Sequence, residues 1–176
     1  MIFKETGLQG AYSIELERIS DTRGFFARTW CSKEFDAKKL ETQFVQANVA
    51  YNNQKNILRG MHRQIAPHEE IKLVRCTKGS VFDVIVDLRK DSATFKQWFG
   101  IELNEENHTM LYIPKGFAHG YQTLTDEAEL FYQVSEFYSP EHERGVRWND
   151  PAFNIQWPKD TGHIISAKDQ AWPDFE

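Results

Sequence analysis

The stretch VFDVIVDL, Val81–Leu88, alternates with the period of a β-strand. Its even-numbered positions form one wholly apolar face: Phe82, Val84, Val86 and Leu88. The opposite face carries the carboxylates of Asp83 and Asp87. Similar short runs of β-branched and aromatic residues recur between turn-forming residues, at positions 12–17, 25–30, 44–51, 71–76, 98–103, 110–113, 121–124 and 128–138. Many short strands separated by turns predict an all-β sandwich or barrel.

Helices are expected to be few and short. One is predicted at about residues 33–40, with Ser32 as its N-cap. The C-terminal part of the chain contains several prolines, which favour loops and short helical pieces over further strands: Pro140, Pro151, Pro158 and Pro173. No linker or internal repeat interrupts the sequence, so we expect a single domain over residues 1–176.

Composition narrows the class of protein. Hydrophobic residues make up 40% and aromatic residues 14% of the chain, which suits a packed core and an aromatic-lined pocket. The net charge of −5 without a basic tail argues against nucleic-acid binding, although local arginines can still bind phosphate. The two cysteines form no CxxC motif and are expected to be reduced thiols. With no signal peptide and no long apolar stretch, we expect a cytoplasmic protein without membrane contact.

Five short segments hold residues that can carry chemistry. They are His62 in LRGMH, Lys72 in IKLVRC, His119 in PKGFAHG, Tyr132 in ELFYQV and Asp169 in SAKD. The proline and the two glycines around His119, in PKGFAHG at 114–120, predict a tight turn that delivers this histidine to the mouth of a strand. Taken singly, each residue has an ordinary structural explanation, such as a solvated lysine, a packed tyrosine or an exposed carboxylate.

Together the same residue types match the needs of proton transfer beside a ketone. Such a reaction requires a base to remove a carbon-bound proton, and histidine is mostly neutral at working pH. A carboxylate behind the histidine fixes its tautomer and stabilises the imidazolium. A lysine can stabilise the enolate oxygen, and a tyrosine can return a proton from the other face.

Longer motifs identify a family. In order, they are DTRGFF at 21–26, QAN at 46–48, LRGMH at 58–62, KLVRC at 72–76, FDVIVDLRKDS at 82–92, IPKGFAHG at 113–120, FYSPEHERGVRWNDP at 137–151 and SAKD at 166–169. This ordered set, over about residues 10–170, resembles dTDP-4-dehydrorhamnose 3,5-epimerase and its relatives in deoxysugar synthesis. The resemblance implies a cupin-type double-stranded β-helix (jelly-roll) barrel. It also implies a homodimer that works without a metal or an organic cofactor.

The resemblance assigns a role to each candidate residue. It implies that His62 is the base, with Asp169 as its partner, that Lys72 contacts the enolate oxygen and that Tyr132 is the opposing acid. The remaining implied contacts are Arg23 and Arg59 to the diphosphate, Gln46, Asn48 and His119 to the sugar or phosphates, and Phe26 and Tyr138 as aromatic lining near the nucleotide. The expected substrate is dTDP-4-dehydro-6-deoxyglucose, inverted at C3 and C5.

The sequence departs from the family pattern at three places. Arg28 stands where relatives usually have a glutamate, and Arg63 stands where they usually have an aromatic residue. The stretch APHEE at 66–70 replaces a proline pair and a glutamine ahead of KLV. Extra positive charge beside the mouth makes a nucleoside diphosphate a firmer prediction than thymine as its base.

Several other functions fit part of the pattern. The nearest is a 3-epimerase that inverts one centre, and another is a ketoisomerase that uses the same enolisation. From different classes come a sugar-nucleotide-binding cupin without turnover and a metal-dependent cupin oxygenase. For the latter, His62 and His119 with Glu69 or Glu70 would supply two histidines and a carboxylate. Gln64 stands where the close His-x-His pair of metal cupins would place its second histidine, which argues against a metal.

Overall fold

The computed structural model describes residues 1–159 and 161–175. Within them the protein is built almost entirely of antiparallel strands, with short helical pieces. The strands are β1 Ile2–Glu5, β2 Tyr12–Glu15, β3 Ile19–Asp21, β4 Gly24–Phe26, β5 Gln46–Asn52, β6 Ile57–Gln64, β7 Lys72–Lys78, β8 Ser80–Asp87, β9 Trp98–Asn104, β10 Met110–Ile113, β11 Phe117–Thr123, β12 Ala128–Val134, β13 Glu143–Gly145 and β14 Ile164–Ile165. The helices are α1 Ser32–Asp36, a 3-10 turn Pro140–His142, and α2 Ala167–Gln170.

The strands form two large sheets and one hairpin. The first sheet has the order β1-β2-β10-β7-β12-β5, and the second has the order β13-β6-β11-β8-β9 with β14 beside β6. Strands β3 and β4 pair only with each other among the described residues. From β5 to β8 the chain alternates between the two large sheets, as in a jelly roll. The predicted all-β, cupin-type barrel is therefore confirmed.

Strand β8 lies at the centre of the core and is covered on both faces. Val81 and Ile85 belong to the apolar cluster between the two large sheets. Val84 and Val86 belong to a second cluster on the other side of the same strand. The chain after β13 covers that side with its own apolar residues, Val146, Phe153, Ile155 and Trp157. The proline-rich tail thus packs against the outer face of the second sheet. As predicted, it consists mostly of loops and short helical pieces.

Helix α1 differs from its predicted bounds. It begins at Ser32 with Cys31 as N-cap, so Ser32 lies inside the helix and no side chain caps its N-terminus. The helix ends at Asp36, and Lys39 shortly afterwards has a left-handed backbone with φ of 58°. That conformation cannot continue a right-handed helix, which explains why the predicted extension to residue 40 is wrong.

Strand β11 begins earlier than predicted and includes Gly120. The motif PKGFAHG predicts a turn, and the structure has one at residues 115–116, where Gly116 has φ of 81°, but the strand already runs from Phe117. A Cβ atom added at Gly60 would lie 2.5 Å from the Cα of Gly120, so strands β6 and β11 approach each other closely here. Gly120 therefore permits close strand contact rather than a turn. Across residues 1–159 and 161–175, no helix combines the length and apolar character needed to cross a membrane.

Candidate active site

Two adjoining cavities open between the large sheets. The outer cavity has a volume of about 440 Å³ and the inner one about 170 Å³. Three residues line both cavities: His62, Lys72 and Tyr132. The wall shared by the two cavities therefore holds the base, the enolate-binding group and the acid that the resemblance implied.

His62 and Asp169 form a close pair although 107 positions separate them in the chain. His62 Nε2 lies 2.6 Å from Asp169 Oδ1, and the backbone N–H of Gly60 donates to Asp169 Oδ2 over 3.3 Å. Asp169 sits in α2, where its own backbone N–H donates to the hydroxyl of the N-cap Ser166. The aspartate is only 4% exposed, so the ordinary expectation of a solvated carboxylate in an irregular tail is wrong.

The electrostatics of this pair favour an ionised aspartate. Burial alone would raise the pKa of Asp169, but the hydrogen bond from His62 and, when the ring is protonated, its positive charge outweigh burial, and the pKa is lowered. An ionised carboxylate only accepts hydrogen bonds, so neutral His62 donates through Nε2–H. The Nδ1 lone pair of His62 then remains available to accept a proton.

A second histidine–carboxylate pair lies beside the first. His119 on β11 is the register neighbour of His62 on β6. Its Nε2 lies 2.9 Å and 3.0 Å from the two carboxylate oxygens of Asp83, which is fully buried on β8. His119 therefore lies near the start of β11, shortly after the turn at residues 115–116, and of the two cavities it lines only the inner one.

Lys72 and Tyr132 face these histidines from the first sheet. Lys72 begins β7, and its side chain is only 13% exposed, so the ordinary expectation of a solvated strand lysine is wrong here. Its ammonium pairs with Glu70 over 3.0 Å. Tyr132 lies on the neighbouring strand β12, packed against the apolar cluster between the sheets. His62 and Tyr132 thus stand on opposite sheets with the cavities between them.

The outer cavity is lined by a polar network. Gln46 accepts a hydrogen bond from the backbone N–H of Tyr138 over 2.8 Å. The Tyr138 hydroxyl donates to Glu143 over 2.7 Å, and this bond is the main reason that the pKa of Tyr138 is raised. Lys168 also donates to Glu143 over 2.6 Å. Burial would raise the pKa of Glu143, but these two hydrogen bonds help to hold it below the ordinary value. Asn48 lines the same cavity.

Two arginines are placed to bind an anion. Arg59 at the inner cavity donates to Asn52 Oδ1 over 2.9 Å and to the Tyr51 carbonyl over 3.2 Å, both neutral partners. Arg63 lines the outer cavity, and burial lowers its pKa. Within the described ranges its guanidinium makes no hydrogen bond or ion pair, and Glu69 acts on it only at longer range. Both guanidinium groups retain donors for a phosphate.

Arg23 and Phe26 are not brought to the cavities of their own chain. Both lie on the β3–β4 hairpin, where Arg23 Nε donates to Asp21 Oδ2 over 3.1 Å. The Arg23 side chain is 88% exposed, and Phe26 is 69% exposed. Their implied roles in substrate binding remain predictions. The other implied contacts, namely Gln46, Asn48, Arg59, His119 and Tyr138, all line one of the two cavities.

Four residues with site contacts were not among those that the resemblance assigned to the site. Asp83 shares the parity of the inward-facing Ile85, so the strand alternation of VFDVIVDL contained a signal for it. Glu70, Glu143 and Lys168 lie outside long alternating runs, and only tertiary packing brings them to the site. Among the described residues, no three His, Cys, Asp or Glu side chains are grouped so as to hold a metal ion.

Comparisons with known proteins reveal a matching family and similar relatives. The family model described as dTDP-4-dehydrorhamnose 3,5-epimerase matches residues 5–176. A relative of that name from Salmonella typhimurium is 42% identical over 174 residues, covering 98% of this chain and 94% of the relative.

Solved structures of similar proteins extend the comparison. The Legionella pneumophila dTDP-6-deoxy-D-glucose-3,5-epimerase, in complex with dTDP-4-keto-L-rhamnose, aligns with a TM-score of 0.92 at 37% identity, covering 98% of this chain and 92% of that one. A 3′-monoepimerase from Streptomyces bikiniensis, in complex with dTDP-quinovose, aligns with a TM-score of 0.87 at 33% identity, covering 96% and 85%.

Proposed function

The chain belongs to the dTDP-4-dehydrorhamnose 3,5-epimerase family, and from this premise we propose that it epimerises a nucleotide-linked 4-keto-6-deoxyhexose. The proposed substrate is dTDP-4-dehydro-6-deoxy-D-glucose, and the proposed product is dTDP-4-dehydro-L-rhamnose after inversion at C3 and C5. One observation carries the proposal: His62 and Tyr132 come from opposing sheets and line the same two cavities. Inversion at carbon requires proton removal on one face and proton return on the other.

The proposed reaction begins with His62. Its Nδ1 takes the proton from the carbon beside the ketone, and Asp169 stabilises the imidazolium that forms. The electron pair moves into an enolate whose oxygen receives hydrogen bonds from the Lys72 ammonium. Tyr132 then donates its hydroxyl proton to the opposite face of the same carbon, which completes the inversion.

The charges around the cavities support a nucleoside diphosphate as the carrier. Arg59 and Arg63 are the two guanidinium groups without a carboxylate partner at these cavities. Guanidinium forks match the oxygens of a phosphate, so a diphosphate between the sugar and the nucleobase would satisfy them. We place the nucleobase in the outer cavity, beside Tyr138 and Gln46.

We also propose that the protein works as a homodimer in the cytoplasm, where its two free thiols stay reduced. Strand β5 is the edge of the first sheet, and its outward side exposes apolar side chains: Val45 just before it at 43%, Val49 at 60% and Tyr51 at 48%. A second copy would cover this apolar edge. Such a dimer also gives the exposed β3–β4 hairpin a way to serve a neighbouring cavity. Light scattering on the purified protein measures the oligomeric state directly.

Proton NMR of dTDP-4-dehydro-6-deoxyglucose with the protein in D₂O tests the proposed reaction. Loss of the proton signals at both C3 and C5, with formation of the rhamnose isomer, is the expected result. Loss at C3 alone would favour the single-centre alternative, which the likeness to the 3′-monoepimerase keeps in view. Binding of the nucleotide sugar without any exchange would contradict an epimerase and favour a binding protein.

A further inference from the structure

The Lys72–Glu70 ion pair is the feature of the site that its proposed chemistry does not require. Glu70 lies in the APHEE stretch, where the sequence departs from the family pattern. Its carboxylate lies 3.0 Å from the Lys72 ammonium, and the two side chains are 11% and 13% exposed. Both residues line the outer cavity. A carboxylate thus occupies one side of the ammonium that is to receive an enolate oxygen.

The backbone around Glu70 is fixed to the first sheet. The N–H of Ile71 donates to the Ser135 hydroxyl over 2.9 Å, and the N–H of Ser135 donates to the Ile71 carbonyl over 3.0 Å. Ser135 directly follows β12, which carries Tyr132. The backbone from which the Glu70 side chain extends is therefore held in a set position relative to the strand of the proposed acid.

The chemistry of an ammonium gives this contact a use. A lysine ammonium has three N–H donors on a flexible four-carbon stem, so an unpaired lysine in a cavity samples many positions. A fixed carboxylate engages one donor and leaves the others for a ligand. It also compensates the cost of burying the ammonium while the cavity holds only water.

We propose that Glu70 is a positioning residue that holds Lys72 at the wall shared by the two cavities. This inference rests on the proposed function, because Lys72 is assigned there to the enolate oxygen. Glu70 acts through Lys72 and does not touch the reacting atoms. Its role should appear in turnover more than in substrate binding, since the ketone oxygen needs the ammonium most when charge develops on it.

The kinetic test compares Glu70→Ala with Glu70→Gln. Glu70→Ala removes the acceptor, and we expect kcat to fall by about 10-fold or more with a smaller change in KM. Glu70→Gln keeps an acceptor oxygen, and we expect it to recover most of the lost kcat. A Glu70→Ala variant with native kcat, or a Glu70→Gln variant as slow as Glu70→Ala, would overturn the proposal.

A matched control distinguishes the positioning of Lys72 from the general effect of losing an ion pair. Lys78 and Glu127 are also 3.0 Å apart, but their side chains are 50% and 59% exposed and they line neither cavity. Glu127→Ala and Glu127→Gln should leave kcat and KM unchanged. Thermal unfolding of all four variants identifies any loss of turnover that follows from loss of the fold.

Chemical labelling tests the same proposal without turnover. Acetylation of each lysine by a succinimidyl ester is followed by mass spectrometry in the wild type and the variants. We expect Glu70→Ala to raise the labelling rate of Lys72 several-fold, and Glu127→Ala to leave it unchanged. An equal Lys72 rate in the wild type and Glu70→Ala would overturn the positioning role. A wild type that exchanges no sugar protons would contradict the proposed function while this comparison still decides the role of Glu70.

Discussion

Two histidines that each pair with a carboxylate are neighbours on β6 and β11, yet their surroundings differ. In the first pair, His62 has a side chain that is 30% exposed, and its partner Asp169 comes from a short helix in the tail. In the second, His119 is 12% exposed, and Asp83 comes from the central strand β8. His62 lines both cavities between the sheets, whereas His119 lines only the inner one.

The difference shows which histidine is equipped to move protons. His62 opens toward the ligand space and is supported by a carboxylate whose lowered pKa keeps it ionised. His119 is fixed by two carboxylate oxygens within the sheet and presents a rigid polar edge to the inner cavity. In the proposed reaction identical residue types therefore serve as a base in one place and as a binding group in the other, because backbone position decides what each ring can reach.

Replacing each histidine with alanine should give the largest difference in kinetic effect. His62→Ala should lower turnover by about 10²–10⁴-fold, the usual contribution of a general base. His119→Ala should chiefly raise KM, because it removes a hydrogen-bonding group from the inner cavity. Steady-state kinetics on the nucleotide ketosugar measure both. Near-native turnover by His62→Ala would refute the assignment of the base.

Neutralisation of each carboxylate sharpens the same contrast. Asp169→Asn keeps the shape of the side chain but loses the charge that stabilises the imidazolium, and we expect kcat to fall on the order of 10²-fold. Asp83→Asn should cost less than about tenfold, since a binding histidine needs orientation more than charge. The ratio of the two kcat values is the measurement, and equal losses would mean that the pairs do not differ in role.

Replacement of Arg63 should weaken substrate binding without changing the chemical step. Arg63→Leu removes a guanidinium that has no hydrogen-bond partner in the described part of the chain. We expect KM for the nucleotide sugar to rise by about tenfold, about 1.4 kcal/mol, with kcat nearly unchanged. Titration calorimetry with the free nucleoside diphosphate provides the control. If neither KM nor the dissociation constant changes, Arg63 does not bind the diphosphate.

Asp87 offers a buried carboxylate with a structural role only. Burial would raise its pKa, but hydrogen bonds from Arg89, Ser92 and Thr94 lower it from 3.8 to about 2. This lowered pKa contributes about 2 kcal/mol of stability, present above pH 4 and lost as pH falls through about 2. Asp87→Asn should therefore destabilise the fold at neutral pH without changing kcat.

Chemical unfolding at several pH values tests this prediction. The difference in unfolding free energy between the wild type and Asp87→Asn should shrink as the pH approaches 2. A difference that stays constant with pH would show that the carboxylate charge is not what stabilises the fold.

Much of the fold was predictable because alternation is a local property. The even and odd positions of VFDVIVDL do lie on opposite sides of β8, and β10 has the predicted bounds 110–113. One error occurred where a residue acts at a distance: the strand position of Gly120 depends on its close approach to Gly60 on another strand, which the local sequence does not contain. Another error was local: the helix begins one residue earlier than predicted, with Cys31 and not Ser32 as its N-cap.

The candidate site also contains residues that the sequence predicted and residues that only the fold revealed. Family motifs identified His62, Lys72, Tyr132 and Asp169, and the structure brings all four together. Local reasoning alone would have left Asp169 as an exposed residue, because only the folded tail carries α2 to Gly60. From the sequence, Glu70 was only a departure from the family pattern and a possible metal ligand, since its pairing with Lys72 depends on the loop before β7.

In the proposed mechanism one group removes the proton and a group on the opposite sheet returns it. Proton NMR of the ketosugar in D₂O with Tyr132→Phe and with His62→Ala separates these two steps. We expect no exchange at any centre with His62→Ala. With Tyr132→Phe we expect slow exchange that retains configuration, because the base alone can return a deuteron to the face it served. Full inversion by Tyr132→Phe, or exchange by His62→Ala at the native rate, would contradict the proposed mechanism.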